Sequence, residues 1–357
     1  MKSSHVGIYV HDHGNGHRQR TLAILRHLQS AATILTSGFA EREWDGPTVR
    51  GVVQLESDAH LSADAMARSG EVSGLHYAPL ADRRLTRRMS QLANFFATEH
   101  PDVVLVDVSV ETTLFARLMS IPTVVMRQHG RRDDLPHRLA YEAADRLFAP
   151  FPKRMEDDIT PKWVQEKTIY ADGFCRFDDR VPNRTEARRR LGWPLDEQIV
   201  VVMSGLGGVG HTAEKLNAAA RATPLWNWFA LGHSDSYDNS PSNLTHLGWV
   251  ERPLQILAAA DVVISAAGHN SVMECGYVQS KLIAIAEPRP FEEQLRKVAI
   301  LNREGLALGL TEWPSHPERW PDLLSAASQL NPDRWHGVVT ADGSRVLAKA
   351  LDELANR

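Results

Sequence analysis

Cysteine is nearly absent from this chain. Cys175 and Cys275 stand alone with no Cys-x-x-Cys spacing, which argues against a disulfide framework or a cysteine zinc site and suits a reducing cytosol. Long apolar runs are missing as well: nothing approaches the roughly 18–20 residues of a membrane span. The N-terminal Met1-Lys-Ser-Ser-His-Val-Gly-Ile-Tyr-Val10 reads as a first strand rather than a signal peptide. Basic charge is not in excess, since 40 Lys+Arg against 44 Asp+Glu leave a formal net charge of −4. That excludes a nucleic-acid polycation. A cytoplasmic setting is the expectation.

What is present is an ordinary globular composition, 43% hydrophobic and 24% charged. At 357 residues the chain exceeds one ordinary core and suits two domains of roughly 150–180 residues each. The first half alternates strand candidates (6–10, 32–36, 49–55, 103–107, 122–126, 146–149) with helical patterns at 20–29, 82–99 and 111–120. Val103–Val106 is continuously apolar, as a strand covered on both faces should be. The region of Pro150, Pro152, Pro161 and 176–184 reads as a linker. A second series follows, with strands at 199–204, 226–231, 244–247, 262–265 and 282–286, and an amphipathic helix ends the chain. This alternation predicts parallel βαβ units in two Rossmann-like, doubly wound α/β domains, 1–172 and 173–340, followed by a C-terminal helix, 341–357. Their ligands are expected at strand carboxyl ends facing a cleft.

Three loops could carry chemistry. The first, His11-Asp12-His13-Gly14-Asn15-Gly16-His17, follows the first strand and precedes a helix expected from about Gln19. Its histidines are default general bases near neutral pH; a zinc site from His11, His13 and His17 competes, though the spacing matches no standard pair. The second, Gly205-Leu-Gly207-Gly208-Val-Gly210, contains a Gly-x-Gly-x-x-Gly that would suit a dinucleotide or any phosphate approaching the backbone, and Asp235 sits where an acidic ribose ligand would. The third is Ser265-Ala-Ala-Gly268-His269-Asn270-Ser271, where an apolar strand ends and a helix is expected to begin near Asn270 or Ser271. Unpaired N–H groups and the macrodipole make such a start an anion site. Glu274, one turn on, then makes sense as an acceptor for a ribose diol; the plainer reading is an Asn/Ser N-cap with Glu274 as capping-box partner. Glu293-Gln294, in the loop after the next strand, offer groups suited to sugar hydroxyls. The run Arg83-Arg84-Leu-Thr-Arg87-Arg88 is either a solvated helix face or a patch for anionic lipid head groups or an acidic acceptor.

Together these residues resemble the GT-B glycosyltransferases, most closely the MurG-like lineage, which includes the peptidoglycan lipid-linked N-acetylglucosaminyltransferase and the plastid galactolipid synthases. The likeness implies the GT-B architecture and assigns roles. Gly14-Asn15-Gly16-His17 occupies the place of the family's N-terminal glycine loop, so Gly16 would meet the ligand and His17 would be the base. Asp107 resembles the aspartate that orients such a base, and His13 is a second candidate base. Glu274 would hold the ribose, Gly268, His269, Asn270 and Ser271 the diphosphate, and Glu293 with Gln294 the donor sugar. Gly248-Trp-Val250 resembles the segment that meets the nucleobase, Arg176 a phosphate-contacting arginine, and Gly205, Gly207 and Gly208 would face the phosphates or acceptor. Asn15 in place of a glycine and the pair His269-Asn270 depart from the family pattern, and no apolar membrane-facing patch is evident.

The implied reaction is an inverting, metal-independent transfer from a nucleoside-diphosphate sugar, expected to be UDP-linked, to an acceptor hydroxyl. No Asp-x-Asp suited to chelating a divalent ion appears, and no cofactor beyond the nucleotide sugar is expected. The acceptor would be a sugar, a lipid-linked or a small molecule, with peripheral contact at the inner membrane face through Arg83–Arg88. Three rivals remain: a non-hydrolysing UDP-sugar 2-epimerase, an NAD-dependent oxidoreductase using Gly205–Gly210, and a non-catalytic sugar-nucleotide sensor.

Overall fold

A computed structural model describes residues 4–11, 15–44, 46–57, 72–203, 212–232 and 240–357. The chain divides into two compact units. The N-terminal unit comprises 1–153, 158–172 and 342–357; the C-terminal unit comprises 154–157 and 173–341.

In the N-terminal unit the strands are β1 (His5–Tyr9), β2 (Ala31–Thr36), β3 (Val49–Gln54), β4 (Val103–Asp107), β5 (Thr123–Met126), β6 (Arg146–Ala149) and β7 (Thr168–Tyr170). They form a sheet of order β3-β2-β1-β4-β5-β6-β7 with every pairing parallel. Each residue of β1 and β4 is buried, because helices cover both faces of a parallel sheet. The helices are α1 (Gly16–Leu25), α2 (Arg83–Glu99), α3 (Val110–Leu118), α4 (Leu135–Ala143) and α5 (Lys162–Lys167). Helix α2 starts because the Asp82 carboxylate accepts from the N–H groups of Arg84 and Leu85. It lays Leu92, Phe95 and Phe96 against Val104 and Val106 of the sheet.

The C-terminal unit holds α6 (Arg184–Leu191), β8 (Gln198–Met203), α7 (Ala213–Ala222), β9 (Trp226–Leu231), β10 (Leu244–Gly248), α8 (Leu254–Ala259), β11 (Val262–Ala266) and α9 (His269–Tyr277). After these come β12 (Leu282–Ile285), α10 (Glu293–Arg303), β13 (Ala307–Leu310) and α11 (Trp320–Ser328). Its sheet, order β10-β9-β8-β11-β12-β13, is also parallel. Trp228, Trp313 and Trp320 fill one face of its core, with the Trp228 and Trp320 rings edge to face at 5.6 Å. On α9, a Cβ at Gly276 would lie 2.6 Å from the Trp335 ring, so only glycine lets this helix seat so closely.

Last comes α12 (Gly343–Ala355), whose buried Leu347, Ala348 and Leu351 face the N-terminal unit, of which it is part. Its Asp352 carboxylate accepts from the Ser30 N–H at 2.8 Å and the Ser30 hydroxyl at 2.6 Å.

The doubly wound α/β expectation is borne out, with two parallel sheets. Two local expectations are corrected. The supposed linker between Pro150 and Arg184 contains α5 and β7, whose short, half-polar segments carry too little apolar pattern to announce themselves. Helix α1 begins at Gly16 rather than about Gln19, which moves His17 from a loop into the first helical turn.

Candidate active site

Both sheets have one topological switch point, the position where chain direction along the sheet reverses and where doubly wound proteins bind ligands. In the N-terminal unit it lies between β1 and β4, and the described site residues of that unit converge there. The His17 Nδ1 is 2.7 Å from Asp107 Oδ2, at the carboxyl end of β4. Arg20, one turn further along α1, donates to Asp107 Oδ1 at 2.6 Å and lies 3.0 Å from His17 Nδ1. Burial would raise the Asp107 pKa, but the Arg20 cation and then His17 more than cancel it and hold the carboxyl down at about 2. Asp107 is therefore an ionised acceptor, and Nδ1 of His17 must carry the proton between them. The lone pair is left on Nε2, the arrangement a general base needs. Val108, next in the chain, has φ +62°, a conformation that a β-branched residue rarely adopts. The strain lies at the turn that carries Asp107. The His11 ring lies 5.6 Å from that of His17. His13 lies outside the described residues, so the zinc alternative gains no geometry.

In the C-terminal unit the switch point falls between β8 and β11, with Met203 beside Ser265 in register. Helix α9 starts at His269 with Gly268 as N-cap and no side-chain capping bond. This corrects the capping-box reading: neither Asn270 nor Ser271 is the cap, and Glu274 lies too deep in the helix to reach back to it. A first helical turn has N–H groups with no intrahelical acceptor, and here His269, Asn270 and Ser271 supply them. Glu274 is buried and holds Arg176, with Nε to Oε1 at 2.8 Å and a second guanidinium nitrogen to Oε2 at 3.3 Å. Burial pushes the Glu274 pKa up, and Arg176 opposes it. The third nitrogen of Arg176 donates to the Glu251 carbonyl at 2.6 Å. Arg176 thus ties the 248–251 segment, including Val250, to the carboxylate. That segment turns at Gly248, where φ is +68° and the β10 register shifts.

The loop after β12 closes on the same helix start. Gln294 is buried, its amide oxygen accepts from the Glu287 N–H at 2.9 Å, and its nitrogen lies 3.8 Å from where a Cβ on Gly268 would stand. Phe291 and Glu292 both have positive φ, +59° and +54°. Two consecutive left-handed residues are strained backbone, here placed just before Glu293. Gly205, Gly207, Gly208, Gly210 and Asp235 lie outside the described residues.

Pattern reading missed Arg20 and Lys297. Lys297 is fully buried with Nζ 3.5 Å from His269 Nδ1; its signal was a lysine at an apolar-face position of α10. The arginine run is corrected in part. Arg83 and Arg87 are exposed, but Arg88 is buried, stacks over the Tyr9 ring at 5.4 Å and donates to the Glu56 carbonyl.

The described residues also bring His76, Asp134 and His137 together. The guanidinium of Arg132 sits 2.9 Å from His137 Nε2 and Asp134 binds Nδ1 at 2.7 Å, so the ring is already engaged at both nitrogens.

Comparisons with known proteins bear on the fold and the sequence. Residues 230–326 match the glycosyltransferase family 28 C-terminal domain. An uncharacterized glycosyltransferase of Methanopyrus kandleri is 22% identical over 262 residues, 69% of this chain and 71% of that protein. The UDP-N-acetylglucosamine–N-acetylmuramyl-(pentapeptide) pyrophosphoryl-undecaprenol N-acetylglucosamine transferase of Carboxydothermus hydrogenoformans is 22% identical over 213 residues, 55% of each chain. Among solved structures, Arabidopsis thaliana UGT89C1 complexed with UDP-L-rhamnose superposes with a TM-score of 0.70 at 15% identity, covering 100% of this chain and 99% of that one. Fold and sequence matches together define a glycosyltransferase of GT-B architecture. Within that class the chain is MurG-like.

Proposed function

We propose that the protein transfers a sugar from a nucleoside-diphosphate sugar, UDP-linked, to an acceptor hydroxyl, with inversion and without a metal ion. The observation that carries the chemistry is the 2.7 Å contact between His17 Nδ1 and an ionised, buried Asp107. His17 Nε2 removes the acceptor proton while the hydroxyl oxygen attacks the anomeric carbon. The glycosidic bond to the diphosphate breaks as the new one forms. Charge gathering on the leaving diphosphate is met by the first-turn N–H groups of α9, a role a divalent ion plays in other transferases. Glu274 accepts from the ribose hydroxyls, Val250 lies against the base, and Gln294 with Glu293 faces the donor sugar.

A UDP donor is supported by the UDP-N-acetylglucosamine of the Carboxydothermus relative and the UDP-L-rhamnose of the Arabidopsis complex. Lipid-linked, sugar and small-molecule acceptors are all compatible with this reading, and Arg83 and Arg87 would supply any peripheral membrane contact. A thermal-shift screen of UDP, GDP, dTDP, UDP-sugars and NAD(H), in EDTA, tests the donor. UDP or a UDP-sugar at 100 times its Kd should stabilise by about 2.7 kcal/mol, and GDP, dTDP and NAD(H) little. Stabilisation by NAD(H) alone would overturn the reading.

A further inference from the structure

Arg20 sets this site apart from a simple histidine–carboxylate pair. It follows His17 by three residues on α1, so both side chains leave the helix on one face, and each takes one oxygen of Asp107. Its side chain is 3% exposed. A buried guanidinium is costly unless fully paired, and among the described residues the buried Nε of Arg20 has no hydrogen-bond partner. Stability alone would favour a smaller apolar side chain here.

Two consequences follow from the distances. Because Arg20 occupies Oδ1, Oδ2 is the oxygen left for the His17 N–H, which fixes the carboxylate plane and the ring tautomer. A carboxylate at hydrogen-bond distance also places a negative charge against the ring. The Arg20 cation, 3.0 Å from the same ring nitrogen, opposes it with a charge of equal size. Among the described residues the charged and titratable groups facing the His17 ring are Asp107 from β4, Arg20 from its own helix and His11 from the loop after β1.

We propose that Arg20 is a positioning residue for the transfer reaction. It holds Asp107 in the orientation that presents His17 Nε2 as the base, and it sets a positive charge beside the ring nitrogen that faces the carboxylate. This rests on the reading of His17 as base.

The test is the pH profile of kcat/KM. Arg20→Met should move the acid limb up by about 1–2 pH units and lower kcat at least tenfold, with donor KM unchanged. Arg20→Lys, which keeps the charge, should return the limb to its wild-type position. Arg20→Met leaves the buried Asp107 with His17 but without its cation, at a cost to folding, so the same comparison is made where no such charge remains. Asp107→Asn with Arg20→Met should show its limb about 1–2 units above that of Asp107→Asn alone. Coincident limbs in both comparisons would mean that Arg20 only packs, and the inference fails. His17→Ala is measured alongside: if it is inactive while the limbs coincide, only the Arg20 inference falls. If it turns over like wild type, the base assignment falls and takes the inference with it.

Discussion

Replacing Glu274 by glutamine separates ligand recognition from folding in the C-terminal unit. The substitution keeps the shape and removes the charge that Arg176 grips at 2.8 and 3.3 Å. Losing charge-assisted bonds costs about 1.5–3 kcal/mol each when both partners are dry. Arg176 is 19% exposed, however, and retains the Glu251 carbonyl, so the cost is toward the low end. A second term opposes it. Folding raises the Glu274 pKa through burial, with Arg176 in opposition. A carboxyl group raised in the folded state adds stability below its unfolded pKa and loses it as pH rises through its folded one. In its charged form Glu274 is therefore a burden on folding that glutamine relieves. The net loss should be about 0–2 kcal/mol, a fall of no more than ~8 °C in the melting temperature of the unit. UDP binding has no such compensation: the ribose diol loses the charged acceptor of two hydrogen bonds, about 1–3 kcal/mol, so Kd should rise roughly 5–150-fold. Calorimetric titration of UDP at pH 7, beside a melting curve for each protein, measures both. A folded Glu274→Gln protein that binds UDP within twofold of wild type would refute the ribose assignment.

The remaining expectations are shorter. His17→Ala should cut transfer by about 10²–10⁴-fold with UDP affinity intact; a radiolabelled-sugar assay reads the first and titration the second, and wild-type turnover would move the base elsewhere. His137 is held down at about 4 by burial and then by Arg132, with Asp134 opposing. A histidine depressed on folding stabilises above its unfolded pKa of about 6.5 and loses that contribution as pH falls toward 4. About 2 kcal/mol should be lost between pH 7.5 and 5, and His137→Gln should flatten the slope of urea midpoints; parallel slopes would disprove it. Sedimentation with anionic vesicles should weaken in low salt when Arg83 and Arg87 become glutamate, and an unchanged pellet would remove membrane contact through this helix.

Strands buried on both faces were legible from composition, because Val103–Val106 or Val262–Ile264 admits few other homes. β7 and β13 were not read: Thr168–Tyr170 and Ala307–Leu310 are short edge strands, only partly buried, so neither alternation nor a long apolar run marks them. The start of α1 was misplaced because Gly16 looks like loop, while the helix needs no side-chain cap there. At the site, residue types were readable and partnerships were not. His17 and Asp107 are ninety positions apart, and Arg176 and Glu274 ninety-eight; β-sheet order joins the first pair, and the packing of α9 joins the second. Arg20 and Arg88 look like polar positions on helix surfaces. Only tertiary approach shows that one closes on a carboxylate and the other lies over a tyrosine ring.

Helix α12 has a consequence for how the protein is made. It completes the first unit from the far end of the chain, covering apolar surface and giving Ser30 its carboxylate partner. On the ribosome, at about 5–20 residues per second, roughly 10–40 s separate the synthesis of residue 172 from that of the helix that finishes its unit. Throughout that interval the nascent first unit carries an open apolar seam while the second is still being made. A fragment ending at residue 172 inherits the same seam permanently, and a peptide of residues 342–357 supplied in trans is the piece that would close it.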